Sequence, residues 1–153
     1  MDKADKGMVV VGVDGSECSR DALAFALRDA ARRGARVKVL SVVRPVDEWA
    51  TAYGLPSLPP RQDPGAIRTQ LHDIIAGVRE VLGDAVAGVE VEPVVTIGST
   101  AGELIKAAAD ADLLVVGSQG RGGVASALLG SVTTRVVFGA PCPVTVIRPR
   151  TGS

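Results

Sequence analysis

Residues 9–13 read Val-Val-Val-Gly-Val and residues 113–116 read Leu-Leu-Val-Val. Both are short, unbroken apolar runs, as expected of strands buried on both faces in the middle of a parallel sheet. Three further β-type runs surround them. Val37–Val43 (VKVLSVV) carries Lys38, Val89–Ile97 (VEVEPVVTI) alternates with Glu90 and Glu92 and contains Pro93, and Val144–Ile147 (VTVI) follows Pro143. Between these runs the apolar period becomes helical. Leu23, Ala26, Leu27 and Ala30 form a stripe at steps of three and four that closes at Gly34. Ile67, Leu71, Ile74, Val78 and Leu82 form a second, closed by Gly83, while Ala101–Ala109 and Ser131–Phe138 supply two more helices. Strands alternating with helices predict an α/β domain with right-handed crossovers and a five-stranded parallel sheet covered on both faces.

Proline and charge are tolerated at the edges of such a sheet and excluded from its middle. The run with Pro93 is therefore placed at one edge, the run after Pro143 at the other, and the Lys38 run between edge and centre. The order that satisfies these placements is 3-2-1-4-5, with strands numbered along the chain. The connection reverses direction between strands 1 and 4. The crevice outside their C-terminal ends is the expected ligand site.

The 153 residues, 46% hydrophobic and 22% charged, fit one domain with one core. Lysine plus arginine and aspartate plus glutamate balance at 17 each, which argues against a nucleic-acid partner held by bulk charge. No charged-then-apolar leader opens the chain, and no apolar run reaches the roughly 18 residues of a membrane span. With only two cysteines, the expectation is a soluble, reduced, cytoplasmic protein with no membrane partner. One connection is long. Arg44 to about Pro64 contains Pro45, Pro56, Pro59, Pro60, Trp49 and Tyr53 without a clear period; it reads as an ordered surface loop or a ligand lid.

The strongest chemical signal follows strand 4: Gly117-Ser-Gln-Gly120-Arg121-Gly122-Gly123, then Gly130-Ser131 at the head of a helix. Glycines let backbone approach phosphate oxygens closely, and successive N–H groups in such a turn form an anion-binding concavity. A helix start adds unpaired N–H groups and the positive end of the helix dipole, and Arg121 adds a mobile counter-charge. Strand 1 ends in Asp14-Gly15-Ser16, across the same crevice. The plainer alternative is that the glycines make turns and Ser131 caps its helix. Convergence at one switch point favours a phosphate site. No Gly-Lys-Ser/Thr occurs, which excludes a Walker-type loop. Gly120–Ala125 fits the dinucleotide pattern GxGxxA, but no Asp or Glu follows Asp112 to hold a ribose, so NAD is not expected.

The spacing Gly117-x2-Gly120-x9-Gly130-Ser131, with Val9-Gly12-Val13-Asp14-Gly15-Ser16 at the start and Ala140-Pro-Cys-Pro-Val-Thr-Val-Ile at the end, resembles the universal stress protein family. The likeness covers residues 8–148, with short tails at 1–7 and 149–153. It implies a Rossmann-like domain, usually dimeric, in the branch that binds ATP, with magnesium expected beside the nucleotide. The edge strand itself, whose open N–H and C=O groups a second copy can satisfy, points to a homodimer through 143–148. Carried over by position, Asp14 and the backbone at Val42 serve the adenine and ribose end. Val116, Gly117, Gln119 and Gly120 line the ribose and phosphate turn, and Arg121, Gly130, Ser131 and Val132 meet the phosphates. Gly98–Ala101 departs from many relatives, which carry a proline there. The implied function is a regulatory nucleotide-binding module in stress response, with a protein partner that the sequence does not identify; a slow ATPase or phosphotransferase is the alternative.

Other candidates are weaker. His72, the single histidine, lies one position off the Leu71 stripe and is expected to face solvent, so neither a zinc site nor a Ser-His-Asp triad is indicated. Cys18 follows strand 1 and Cys142 precedes strand 5, at opposite ends of a parallel sheet. Their separation of roughly 17 Å exceeds the reach of a disulfide. Hydrolysis would need an oriented water near Asp14, Ser118 or Gln119, and no positioned general base is evident.

Overall fold

The computed structural model describes residues 6–44, 54, 63–120 and 129–149. Strands β1 (Met8–Gly12), β2 (Arg36–Val43), β3 (Val91–Ile97), β4 (Leu113–Gly117) and β5 (Val144–Ile147) form one sheet in the order β3-β2-β1-β4-β5. All four strand pairs are parallel. This is the expected order. Helices α1 (Glu17–Arg33), α2 (Pro64–Leu82), α3 (Thr100–Ala107) and α4 (Ser131–Gly139) connect the strands.

The two unbroken apolar runs lie where their composition places them. Val9, Val10, Val11, Leu114 and Val115 are fully buried, because helices cover both sheet faces. On one face Val9, Val11, Val37, Val39 and Val115 pack against Leu23, Ala26, Leu27 and Ala30 of α1 and Leu71, Ile74 and Ile75 of α2. On the other, Val10, Leu40, Leu114 and Val116 meet Ala101 and Leu104 of α3 and Val136 of α4. Side chains alternate between faces along each strand, so residues two apart share a core.

The edge placement of β3 follows from its ladder. Val37 N–H donates to Glu90 O and Gly98 N–H to Val43 O, so the even-numbered residues of β3 turn their backbone groups toward β2. Pro93 falls on the odd set. Its missing N–H therefore belongs to the open side and costs no ladder bond.

Local chemistry sets the helix ends. Ser16 accepts from Ser19 N–H at the start of α1, and Gly34 ends that helix at φ 69° with its N–H bonded to Ala30 O. Asp63 caps α2 by accepting from Gly65 N–H, and Pro64 opens the helix rather than closing the preceding loop. Some boundaries differ from the expectation. β1 ends at Gly12, not Val13. β3 begins at Val91, because Val89 N–H bonds back to Val86 O after a short 3-10 turn at Gly83–Val86. The helix expected over 101–109 runs from Thr100 to Ala107 and tightens into a 3-10 turn at Ala108–Asp110. Trp49 and Tyr53 lie outside the described residues.

Candidate functional site

The crevice forms where β1 and β4 end. Beyond β1, Val13 N–H donates to Leu40 O at 2.9 Å, and the buried Ser41 hydroxyl donates to Val13 O at 2.6 Å. These bonds hold the departing chain against β2 as far as Asp14. There the backbone turns into α1: Asp14 Oδ1 accepts from Ser16 N–H at 2.9 Å, and Gly15 takes φ 90°, which favours glycine. The Asp14 residue is exposed.

The β4 turn comes up against it. A Cβ built on Gly117 would lie 2.8 Å from Cys18 Sγ and 3.3 Å from the Cys18 carbonyl carbon, so Gly117 lets the head of α1 approach the strand. Ser118 N–H donates to Ile147 O at 2.8 Å, and Ser118 O accepts from Gly130 N–H at 2.7 Å. A Cβ on Gly120 would lie 2.7 Å from Asp14 Oδ2, which brings the two turns together. A Cβ on Gly130 would lie 3.5 Å from Ser118 O and 3.9 Å from Gly120 N. The turn after β1, the turn after β4 and the start of α4 therefore meet at one place.

Gly130, not Ser131, is the N-cap of α4, and it makes no side-chain cap bond. The alternative in which Ser131 caps its own helix is corrected: Ser131 is the first helical residue and is exposed. Among the described residues no side chain caps this helix start, and an uncapped start is the kind that can offer N–H groups to an anion. Val132 is half-buried, and Gln119 is half-buried beside Gly120. Val116 is buried in β4; Val42 pairs with Thr96 near the end of β2 and packs on the α3–α4 side. Arg121 lies outside the described residues, as does the 121–125 part of the GxGxxA pattern.

Ser118 is 1% exposed, with its hydroxyl 3.9 Å from Cys18 Sγ. It is a packing residue of the turn and does not present a polar group to the crevice. Sequence reasoning missed Ser41, Thr133 and the Cys18 thiol, which donates to Ile147 O at 3.1 Å. Each bonds to a main-chain carbonyl, which has no sequence signature. His72 is exposed on α2, and both cysteines are free. Burial, then the Asp112 charge, pushes the Cys142 thiol above its ordinary value. Among the described residues no group of three His, Cys, Asp or Glu side chains could hold a metal ion, and no helix is long and apolar enough to cross a membrane. A groove of about 590 Å³ between α1 and α2, lined by Arg20, Arg28, Asp73 and Val81 among others, includes none of the expected site residues.

A model of the universal stress protein family matches residues 8–148. The chain is similar to a universal stress protein of Mycolicibacterium smegmatis, 37% identical over 146 residues, covering 93% of this chain and 46% of the relative. It is likewise similar to one of Mycobacterium tuberculosis, 37% identical over 142 residues, covering 92% of this chain and 45% of the relative. The chain thus spans about half the length of the curated relatives it matches. Among solved structures, universal stress protein UspA from Lactobacillus plantarum has a TM-score of 0.66 at 24% identity, covering 93% of this chain and 97% of that one. This likeness shows the fold. A universal stress protein in complex with cAMP has a TM-score of 0.61 at 27% identity, covering 92% and 95%. One from Archaeoglobus fulgidus in complex with dAMP has a TM-score of 0.61 at 22% identity, covering 93% and 97%.

Proposed function

The chain belongs to the universal stress protein family, and from that premise we propose that it is an ATP-binding regulatory module of a stress response. The observation that carries this reading is the meeting of Asp14, the Gly117–Gly120 turn and the Gly130 helix start, with Gly120 close against the Asp14 carboxylate. In the proposed complex, Asp14 and the Val42 backbone serve the adenine and ribose end. Val116, Gly117, Gln119 and Gly120 line the ribose and phosphate turn. Gly130, Ser131, Val132 and Arg121 meet the phosphates. The cAMP and dAMP complexes of two structural neighbours support an adenine nucleotide as the ligand class.

Magnesium would arrive with the triphosphate. That ion keeps several waters and is commonly held largely by the phosphates themselves. Slow hydrolysis or phosphoryl transfer is the weaker reading, because burial removes the Ser118 hydroxyl from the groups that could orient a water. The protein works in the cytoplasm as a homodimer joined along 143–148, where β5 is the edge strand of the sheet, the kind of edge whose outer backbone groups a second copy can satisfy.

The test is a native mass measurement of protein purified from cells, followed by calorimetry of the stripped protein with ATP, AMP and cAMP. ATP that co-purifies, or that binds tightest of the three, supports the reading. Tighter binding of cAMP, or no binding of any, overturns it.

A further inference from the structure

We infer that Thr133 is a positioning residue, which together with the Ser118 carbonyl clamps the head of α4 against the β4 turn and so holds the helix start in phosphate-binding register. The clamp is read from the geometry alone; only its effect on ligand affinity rests on the nucleotide reading above. Thr133 is the third residue of α4 and is 4% exposed. A Glu or Gln at this position commonly reaches back to the N-cap N–H of its own helix. Here the Thr133 hydroxyl instead donates to Gly117 O, the last carbonyl of β4, at 2.6 Å. The next carbonyl along, Ser118 O, accepts from Gly130 N–H at 2.7 Å.

Two consecutive carbonyls thus take bonds from the two ends of the first helical turn. Gly130 and Thr133 are three residues apart, about 4.5 Å along a helix. One bond would leave α4 free to pivot about its start; two bonds that far apart leave only a turn about the line joining them, which the packing of Val136 opposes. The carbonyls are themselves fixed. Ser118 N–H is tied to Ile147 O, and Cys18 packs where a Gly117 Cβ would stand.

Packing holds one side of this helix only. Within α4 only Thr133 and Val136 are buried, while Val137 is 41% and Phe138 87% exposed. Val132 is half-buried against the same core as the fully buried Val136, and the two polar bonds at the head of α4 add to that packing.

The experiment compares wild type, T133V and T133S. Valine keeps the β-branched shape and loses the donor; serine keeps the donor. Amide exchange at Gly130 is measured without ligand, and ATP and adenosine affinities by calorimetry. The loss of one buried hydrogen bond should speed Gly130 exchange and weaken ATP by about tenfold or more in T133V. Adenosine affinity should stay within about threefold, because nucleoside contacts lie away from the helix start. T133S should match wild type in both. If T133V does not fold, T133A replaces it with the same expectations. Gly130 exchange unchanged in the donor-less variant overturns the clamp, as does equal loss of ATP and adenosine without rescue by serine. Failure of wild type to bind ATP would sink the nucleotide reading, while Gly130 exchange still decides the clamp.

Discussion

A side chain at Gly130 should abolish ATP binding and leave the protein folded. Gly130 sits at φ −68° and ψ 162°, extended backbone open to any L residue. A Cβ there would meet Ser118 O at 3.5 Å, Gln119 Cα at 3.7 Å and Gly120 N at 3.9 Å, which is ordinary contact. The fold therefore accepts Gly130→Val, losing at most about 1 kcal/mol from the poorer N-cap and about 2–4 °C in Tm. The proposed ligand has no such tolerance, because the new methyl groups stand at the mouth of the helix start. Two charge-assisted contacts at about 1.5–3 kcal/mol each sum to about 3–6 kcal/mol, a loss of affinity of about 150-fold or more. Calorimetric titration with ATP beside a thermal melt separates the two effects. Wild-type affinity in folded Gly130→Val would refute the phosphate assignment, and a Tm fall of tens of degrees would refute the geometric argument. Gly120→Val should also abolish binding, but less cleanly: its Cβ would lie 2.7 Å from Asp14 Oδ2, so the Asp14 carboxylate must turn aside as well.

The site should prefer ATP to AMP by well over tenfold, since the contacts proposed for the outer phosphates are the helix start and Arg121; equal dissociation constants with magnesium present would contradict this. Pro143 O accepts from Leu114 N–H of β4 and Ile147 O from Ser118 N–H just beyond it, so odd-numbered residues of β5 face β4 and Val146 faces the open edge. Val146→Pro should give a folded monomer and Thr145→Pro an unstable protein, and light scattering that finds the wild type monomeric at micromolar concentration would defeat the dimer. Because burial and Asp112 raise the Cys142 thiol, its alkylation at pH 8 should be slower than that of a free cysteine, and Asp112→Asn should speed it. The associated stability is full below the unfolded-state value of about 8.5 and is lost as pH rises through the raised folded value; equal alkylation rates for wild type and Asp112→Asn would show the charge to be irrelevant.

The sheet order was legible because each strand's position changes what its residues must tolerate. Val9–Val11 and Leu114–Val115 are buried on both sides and can carry nothing polar. Pro93 is admissible only where its missing N–H faces no partner, and the β2–β3 ladder places it so. Element ends were less legible. Whether Val13 extends β1, or Ala108 extends α3, turns on single hydrogen bonds whose partners are brought up by the rest of the fold. Val13 N–H still bonds to Leu40 O, yet the Asp14–Ser16 turn has already diverted the chain.

In the candidate site, the legible residues are the ones whose side chains must be absent. Gly117, Gly120 and Gly130 stand out because a Cβ would strike Cys18, strike Asp14, or enter the space assigned to phosphate, and glycine alone meets that need. The residues that hold the turns in place gave no signal. Ser41 bonds to Val13 O, Thr133 to Gly117 O and Cys18 to Ile147 O. Every residue offers a carbonyl, so a donor aimed at one has no complementary partner to find along the chain. The expectation that Ser118 could orient a water fails for a related reason. A serine in a glycine-rich turn is a natural polar group for a crevice, but Gly117 lets α1 approach closely enough to bury it. The glycine that clears one side of the turn closes the other, and the hydroxyl a hydrolase would want at the crevice is the one shut away.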